Sequence, residues 1–584
     1  MNGADYIAQF LADRGIEQIF VVNGGAAAFL IDAVARHPQL DYRCFVHEQS
    51  TAMAADSVWR LTGHPGATIA TSGPGATNLL TGIACSYFDS IPAIHITGQV
   101  NMRESAAYMG AQVRQCGFQE TNIVAMAAPV CKYAVQVRSV DELRRELSKA
   151  YNIATTGRMG PVLIDVPMNV QQDEMGDEVV YDPIIGTDFM PIPEAAALAN
   201  RLNDFFAGAE RPLVLLGAGA GLSGAADAIL TWVERSGVPF VASWSALTFF
   251  DHGHPGYCGP IGVYGNRGAN SILQNCDRLL VLGSRLDNRQ RSGNPKAFAP
   301  GARVHVIDLD GEELKKYGPD GYEVTHIDLR NLPPSLDQVA PSSSQPWRSY
   351  VATMREDFLG RDISTFANRN GTLSPYLVMS RLNGIMDTDA VVIADTGATL
   401  CWLYQTFQRS HQALHTAAGN SPMGYALPAA IGAAFAVPGR QIVSINGDGG
   451  FQLNLQELQT IRHYNLNIAV VVVNNAGYGI IKQFQDSYLN SRYEASGRGY
   501  SVPELADIAH AYGLDYRRVE SADDLTGDVL RSDRAVLVEV RLAPNTLIEP
   551  KLEMGRPIND QFPYMTDEEF AKANPFVSFP RSPI

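Results

Sequence analysis

The chain has no C-x-x-C spacing: its seven cysteines, Cys44, Cys85, Cys116, Cys131, Cys258, Cys276 and Cys401, are an odd number scattered along the length. That excludes a disulfide framework or a zinc site of paired cysteines and fits reduced thiols in a cytoplasmic protein. Positive charge is in deficit, with 45 Lys and Arg against 61 Asp and Glu and a net charge of −16. Nucleic acid and anionic membrane surfaces are therefore poor partners. No apolar run approaches the length needed to span a bilayer. The opening residues, Met1 to Asp5, lack the charged and apolar regions of a signal peptide. What is present is length and apolar content: 584 residues, 46% hydrophobic, enough for several cores.

The chain divides into three α/β blocks. Residues 1–175 end near the run Pro161-Val-Leu-Ile-Asp-Val166, residues 195–340 open with a helical stretch and Pro212-Leu-Val-Leu-Leu216, and residues 365–545 close on Ala535-Val-Leu-Val-Glu-Val540. The acidic, proline-containing stretch 171–193 reads as a linker and Pro341-Ser-Ser-Ser-Gln-Pro346 as a second crossing. Residues 546–584 form a tail that is a lid, a subunit arm or a docked segment. The first and third blocks share an order of elements. Gly66-Ala-Thr-Ile-Ala70 leads through a Gly-rich turn and a helix to Ile91–Thr97; Gln441–Asn446 leads through Gly-Asp-Gly and a helix to Ile468–Val473. That pattern is expected of two copies of one design.

Gly447-Asp448-Gly449 is followed, after 24 residues, by Asn474-Asn475. Each half follows an apolar run suited to a buried parallel strand, and Phe451–Leu466 between them has helical spacing. A right-handed crossover brings Asp448 and Asn475 to the carboxyl ends of two strands, where open α/β sheets bind ligands. One carboxylate and one amide oxygen are too few to cage a metal alone and suit Mg²⁺ shared with a phosphate. The flanking glycines admit a close backbone, and the following helix presents N–H groups to an anion. The plain alternative is an ordinary strand–helix–strand unit with tight Gly and Asn turns.

On this spacing, strand context and ligand pair the chain resembles the thiamine diphosphate-dependent enzymes. Four further segments resemble the acetohydroxyacid (acetolactate) synthase branch: Thr71-Ser-Gly-Pro-Gly-Ala-Thr-Asn78, Gly117-Phe-Gln-Glu120, Gly283-Ser-Arg-Leu-Asp-Asn-Arg289 and Gly477-Tyr-Gly-Ile-Ile-Lys-Gln-Phe484. The resemblance implies three doubly wound parallel-sheet α/β domains: pyrimidine-binding, central and diphosphate-binding. It implies that Asp448, Asn475 and the Gly477 carbonyl hold Mg²⁺ against the cofactor diphosphate. Thr71, Gly73, Asn78, Gly397, Gly447, Gly449, Gly450, Tyr478, Gly479 and Ile480 would surround the cofactor. Met423, otherwise a core filler, would prop the thiazolium ring. Glu48, ending the short strand Cys44–Glu48, reads by itself as a helix-start carboxylate favoured by the macrodipole. By resemblance it bonds N1′ of the aminopyrimidine, on cofactor held by the third block of a partner subunit. Phe118 and Gln119 would be the active-site Phe–Gln pair.

The acceptor side departs from the family pattern. Where the family reads Pro-Gly-Gly this chain has Asn23-Gly24-Gly25, and Asn23 near the reacting carbon either donates to a developing alkoxide or caps a turn. Phe484, beside Ile481, stands where Trp is usual, and Val263 where Met is expected. Arg289 remains, to clasp an acceptor carboxylate or to serve as a surface or FAD-phosphate arginine. The resemblance also places FAD in the central block, near Gly217, Gly219, Ser284, Arg285, Asp287, Arg289 and Asp308. Gly219-Ala-Gly-Leu-Ser-Gly224 supports no NAD site, because no acidic residue ends the next strand, Phe240–Ser243. The expected function is decarboxylation of pyruvate or a similar 2-keto acid and transfer of the acyl carbanion to a second carbonyl. That acceptor is pyruvate by default, or a keto sugar or other ketone or aldehyde. A flavin-linked 2-keto acid oxidase and a catalytically silent homologue are the alternatives. A site shared between subunits requires a homo-oligomer, dimer or tetramer.

Overall fold

The computed structural model describes residues 1–176, 181, 194–359 and 373–579. Most of the linker expected at 171–193, the first residues of the block expected from 365, and the end of the tail lie outside them. Three six-stranded sheets, parallel throughout, carry the chain.

The first sheet holds Gln18–Val22 (β1), Asp41–Cys44 (β2), Gly66–Ala70 (β3), Ala93–Gln99 (β4), Tyr133–Gln136 (β5) and Val162–Pro167 (β6), in the order β2-β1-β3-β4-β6-β5. The second holds Pro212–Leu216 (β7), Phe240–Ala242 (β8), Tyr257–Pro260 (β9), Arg278–Leu282 (β10), Arg303–Asp308 (β11) and Glu323–His326 (β12), in the order β12-β11-β10-β7-β8-β9. The third holds Val391–Ala394 (β13), Ala413–His415 (β14), Ile442–Gly447 (β15), Ile468–Asn474 (β16), Asp515–Val519 (β17) and Val536–Arg541 (β18), in the order β14-β13-β15-β16-β18-β17. Counted within each domain, the first and third sheets have the same order, as the repeated pattern in the sequence led us to expect. The central sheet has the doubly wound dinucleotide-binding order, whose direction reverses between β7 and β10.

The central strands are buried on both faces, which is why runs such as Ile468–Val473 are apolar at every position rather than alternating. One core joins the first and third domains, with Phe20, Met53 and Val58 packed among Tyr425, Ile431 and Phe451. Its seam is a helix pair, Glu48–Thr62 against Ala426–Ala436. These two helices hold equivalent places in the two domains, each lying between the second and third strands of its sheet. Small residues set their distance: a Cβ on Gly432 would stand 2.4 Å from the Ala54 carbonyl oxygen. Buried polar groups fix their register. Asp56 accepts from Tyr425, Ser86 and Arg60, and Arg60 also reaches Asp89 at 2.7 Å.

The single helix read over Phe451–Leu466 is broken. It runs over Asp448–Leu453, passes through a 3₁₀ turn at Leu455–Glu457, and resumes as Leu458–His463. The break turns Asn454 toward the Gly424 carbonyl, to which it donates at 2.7 Å, and Glu457 toward the His47 N–H. Likewise the strand read to Glu48 stops at Cys44, and Glu48 opens the helix, with His47 as its N-cap. All seven cysteines are free, and no helix among the described residues is long and apolar enough to cross a membrane. From 546 to 550 the tail packs on the third domain, where Ile548 bonds Gln483, and from 552 to 579 it lies along the central domain, where Leu552, Ile558 and Phe570 join the core of Leu279, Trp347 and Met354.

Candidate active site

The carboxyl ends of the first sheet gather one group of residues. Glu48 is buried, and its Oε2 accepts from Asn78 Nδ2 at 2.9 Å. Its other oxygen faces Gly75, where a Cβ would stand 3.2 Å away. Gly73, at φ +61°, leaves room for Gln119: a Cβ there would lie 2.9 Å from that of Gln119. Gln119 itself holds a left-handed backbone, φ +64°, a conformation that is uncommon for non-glycine residues and is retained where surrounding contacts enforce it. Glu120 braces the same loop by accepting from the N–H groups of Ala106 and Cys116 at 2.8 Å. Gly24 packs on Thr71, whose hydroxyl accepts the Ala26 N–H, and the Asn23 side-chain oxygen caps the Gly24 N–H at 2.8 Å. Phe118 projects from the loop, 84% exposed.

The equivalent ends of the third sheet gather the other group. Asp448 is buried, accepting from Tyr500 OH at 2.9 Å and from the Gly477 N–H at 3.2 Å. Burial pushes its carboxyl above the ordinary range, against those hydrogen bonds. Beside it Asn475 is buried with its amide nitrogen unpartnered, pressed against Gly479, where a Cβ would lie 2.6 Å from that nitrogen. A buried amide without a partner is costly and points to a group that completes it. Gly449 lies under the Tyr478 ring and the end of Met423, with hypothetical Cβ distances of 2.3 and 3.2 Å. Gly397, at φ +96°, starts the helix Ala398–Thr406, whose Thr399 hydroxyl flanks Gly447. Ile480 packs on the core, whereas Ile481 and Phe484, farther along the helix Gly479–Tyr488, are exposed.

Two residues that motif reading missed organise this group. Asp395 directly follows β13 and is fully buried; its carboxylate accepts from the N–H groups of Thr396, Gly424 and Tyr425 and so fixes the Met423 turn. Burial raises it to about 7 despite those bonds. Gly450 is required beside it, since a Cβ would stand 1.9 Å from Asp395 Oδ2. Asp395 occupies in its sheet the strand end that Asn23 occupies in the first, so the internal repeat carried a signal for it. Tyr500, in a loop, had none.

A cavity opens at the reversal point of the central sheet, with about 1330 Å³ of empty space including its mouth. Gly219, Gly283, Arg285 and Asp308 line it from the central domain, and Arg60, Asp89 and His415 from the other two. Gly217, Ser284, Asp287 and Arg289 stand outside it. Gly217 packs against the Gly283 carbonyl, Ser284 donates to Gln290, and Asp287 caps the helix Asn288–Arg291. Arg330 and Arg158 at the cavity are paired with carboxylates, while Arg285 has no ion pair among the described residues.

Comparison with known proteins matches all three domains. Residues 1–126, 199–326 and 395–540 fit the N-terminal TPP-binding, central and C-terminal TPP-binding domain models of the thiamine pyrophosphate enzymes. The chain is 31% identical to the acetolactate synthase isozyme 2 large subunit of Escherichia coli, over 93% of this chain and 96% of that protein. It is 30% identical to the acetolactate synthase large subunit of Lactococcus lactis, over 95% of each. A probable acetolactate synthase large subunit of Methanocaldococcus jannaschii is 30% identical over 98% of this chain and 97% of its own. The two clusters thus lie in the domains that bind thiamine diphosphate, and the chain belongs to the thiamine pyrophosphate enzyme family, as a thiamine-diphosphate-dependent decarboxylating carboligase of its acetolactate synthase-like branch.

Proposed function

We propose that the protein decarboxylates pyruvate or a close 2-keto acid and joins the acyl fragment to a second carbonyl compound. The observation that carries this reading is the pairing of two equivalent strand-end clusters, one presenting Glu48 and the other Asp448 with an unpartnered Asn475 amide. Bound thiamine diphosphate supplies a nucleophilic carbon and an electron sink for the loss of CO₂. Asp448, Asn475 and the Gly477 carbonyl are the groups to hold Mg²⁺ with the diphosphate, since they offer hard oxygen ligands and leave positions for phosphate oxygens. Glu48 shares a proton with the aminopyrimidine, and Asn78 keeps its carboxylate aimed. Met423, held by the Asp395 turn, sets the ring's attitude. The glutamine of the strained Phe118–Gln119 loop orients the reacting carbonyl.

Each cluster ends in exposed apolar side chains, Val46 and Phe118 in the first and Leu453, Ile481 and Phe484 in the third. Such patches suit burial against another copy, so each site takes Glu48 from one subunit and Asp448 from its partner. The reversal-point cavity, with its Gly-rich turn and unpaired Arg285, suits the pyrophosphate of FAD. Because Phe484 and Val263 narrow the likeness on the acceptor side, transfer to an acceptor other than pyruvate is the second reading.

The test is to incubate the protein with thiamine diphosphate, Mg²⁺, FAD and pyruvate alone and to follow CO₂ and acetolactate together. Equal rates identify an acetolactate synthase. CO₂ without acetolactate keeps the donor half and selects another acceptor; neither product removes pyruvate as donor.

A further inference from the structure

Next to the strand that leads into Asn475 and Gly477, β18 carries a buried carboxylate, Glu539. Glu539 lies on the same face as Arg541, which stands opposite Asn474 at the end of β16. Its two oxygens accept from Asn474 Nδ2 at 2.8 Å, from Arg541 Nε at 3.0 Å and from the Tyr516 hydroxyl of β17. Burial alone would raise this carboxyl; the three donors outweigh it and hold the group below the ordinary glutamate range. Glu539 is therefore ionised at neutral pH and can only accept.

A pure acceptor on that side leaves the Asn474 amide one orientation. Its NH2 faces Glu539, and its oxygen takes the Ala476 N–H at 3.1 Å. That bond closes a tight turn over Asn475. Ala476 then adopts a left-handed backbone, φ +54°, uncommon for a residue with a side chain. The chain folds back, and the Gly477 N–H reaches Asp448 Oδ2 at 3.2 Å. Neighbours leave this turn little room to slip. A Cβ on Gly479 would stand 2.6 Å from the Asn475 amide nitrogen, and one on Gly477 would stand 2.2 Å from Lys482 Nζ. The Leu542 N–H holds the Asn474 carbonyl at 2.9 Å, so the base of the turn is fixed as well. A flipped Asn474 would set its NH2 against the Ala476 N–H, two donors face to face, and the turn would open.

We propose that Glu539 is a positioning residue for Mg²⁺. By holding the Asn474 amide in one orientation, it aims the Asn475 oxygen and the Gly477 carbonyl at the metal. This rests on the reading of Asp448, Asn475 and Gly477 as the Mg²⁺ ligands. Groups that orient metal ligands from behind are worth roughly ten- to hundredfold in metal affinity.

The test exchanges the two roles. Mg²⁺ is titrated by calorimetry into the protein at saturating thiamine diphosphate. Glu539→Gln offers Asn474 an amide in place of a pure acceptor, and the Mg²⁺ concentration at half-saturation should rise about tenfold or more. Adding Asn474→Asp puts the carboxylate at 474 and the amide at 539, so the carboxylate can accept from both that amide and the Ala476 N–H. Most of the lost affinity should return in this exchanged pair. Asn474→Asp alone sets two carboxylates together and should bind Mg²⁺ at least as weakly as Glu539→Gln. Amide hydrogen exchange across residues 474–479, measured without metal or cofactor, should quicken in Glu539→Gln and slow again in the exchanged pair. An unchanged half-saturation or unchanged hydrogen exchange in Glu539→Gln overturns the positioning role, as does a loss that the exchanged pair does not relieve. Wild-type protein that takes up no Mg²⁺ with thiamine diphosphate overturns the metal reading instead, and hydrogen exchange then decides whether Glu539 sets the turn.

Discussion

Glu48 and Asp395 show how single carboxylates are set for different work in equivalent domains. Glu48 has one side-chain donor, Asn78, and an open oxygen kept clear by Gly75. Replacing it with Gln preserves size and most contacts but cannot take or return a proton. Turnover should fall by about two orders of magnitude or more, while cofactor affinity, measured by calorimetry, changes little; near-normal turnover would remove Glu48 from the proton path. Asp395 has no such opening. It holds a proton up to about pH 7 in the folded protein, against an ordinary value of about 4. The native state therefore binds more protons than the unfolded chain between these values, and stability falls as pH rises through that window, by on the order of 4 kcal/mol. Asp395→Asn should flatten the change in denaturation midpoint between pH 5 and 7.5; an unchanged slope would assign it to other groups.

At the scale of elements, the helix seam between the first and third domains is a tight contact. Gly432→Ala places a methyl group against the Ala54 carbonyl, and the two backbones must separate. A loss of about 1–3 kcal/mol is expected, read as a lower denaturant midpoint; no change would mean the seam is looser than its distances say.

The elements also mark what sequence reading reached. Pro212–Leu216 and Gly66–Ala70 were legible to the residue, because continuous apolar runs bounded by Gly or Pro leave little choice. The break at Asn454 was not, because Phe451, Leu458 and Ile461 keep helical spacing while the interruption comes from tertiary partners, Gly424 and His47. The Asp448–Asn475 cluster was visible because a strand–helix–strand unit fixes its own geometry. Tyr500 was not, since it acquires its role from a segment distant in sequence, and Asp395 was signalled only by its place in the internal repeat.

At the scale of the whole molecule, two domains of equal strand order pack through equivalent helices, and a dinucleotide-type domain lies against both. The tail ties that central domain to the helix Gly479–Tyr488. In the proposed site equivalent strand ends carry the two halves, each edged by exposed apolar side chains. Sedimentation should accordingly give a dimer or larger, whereas a monomer at micromolar concentration would contradict a shared site.

The central claim, that one site joins Glu48 of one subunit to Asp448 of another, is tested most directly by mixing two inactive variants, Glu48→Gln and Asp448→Asn. After dissociation and random reassembly, half of the dimers are hybrids with one intact site, so activity should return to about one quarter of wild type. If the mixture stays as inactive as its parts while hybrid dimers are shown to form, Glu48 and Asp448 of different subunits do not share a site.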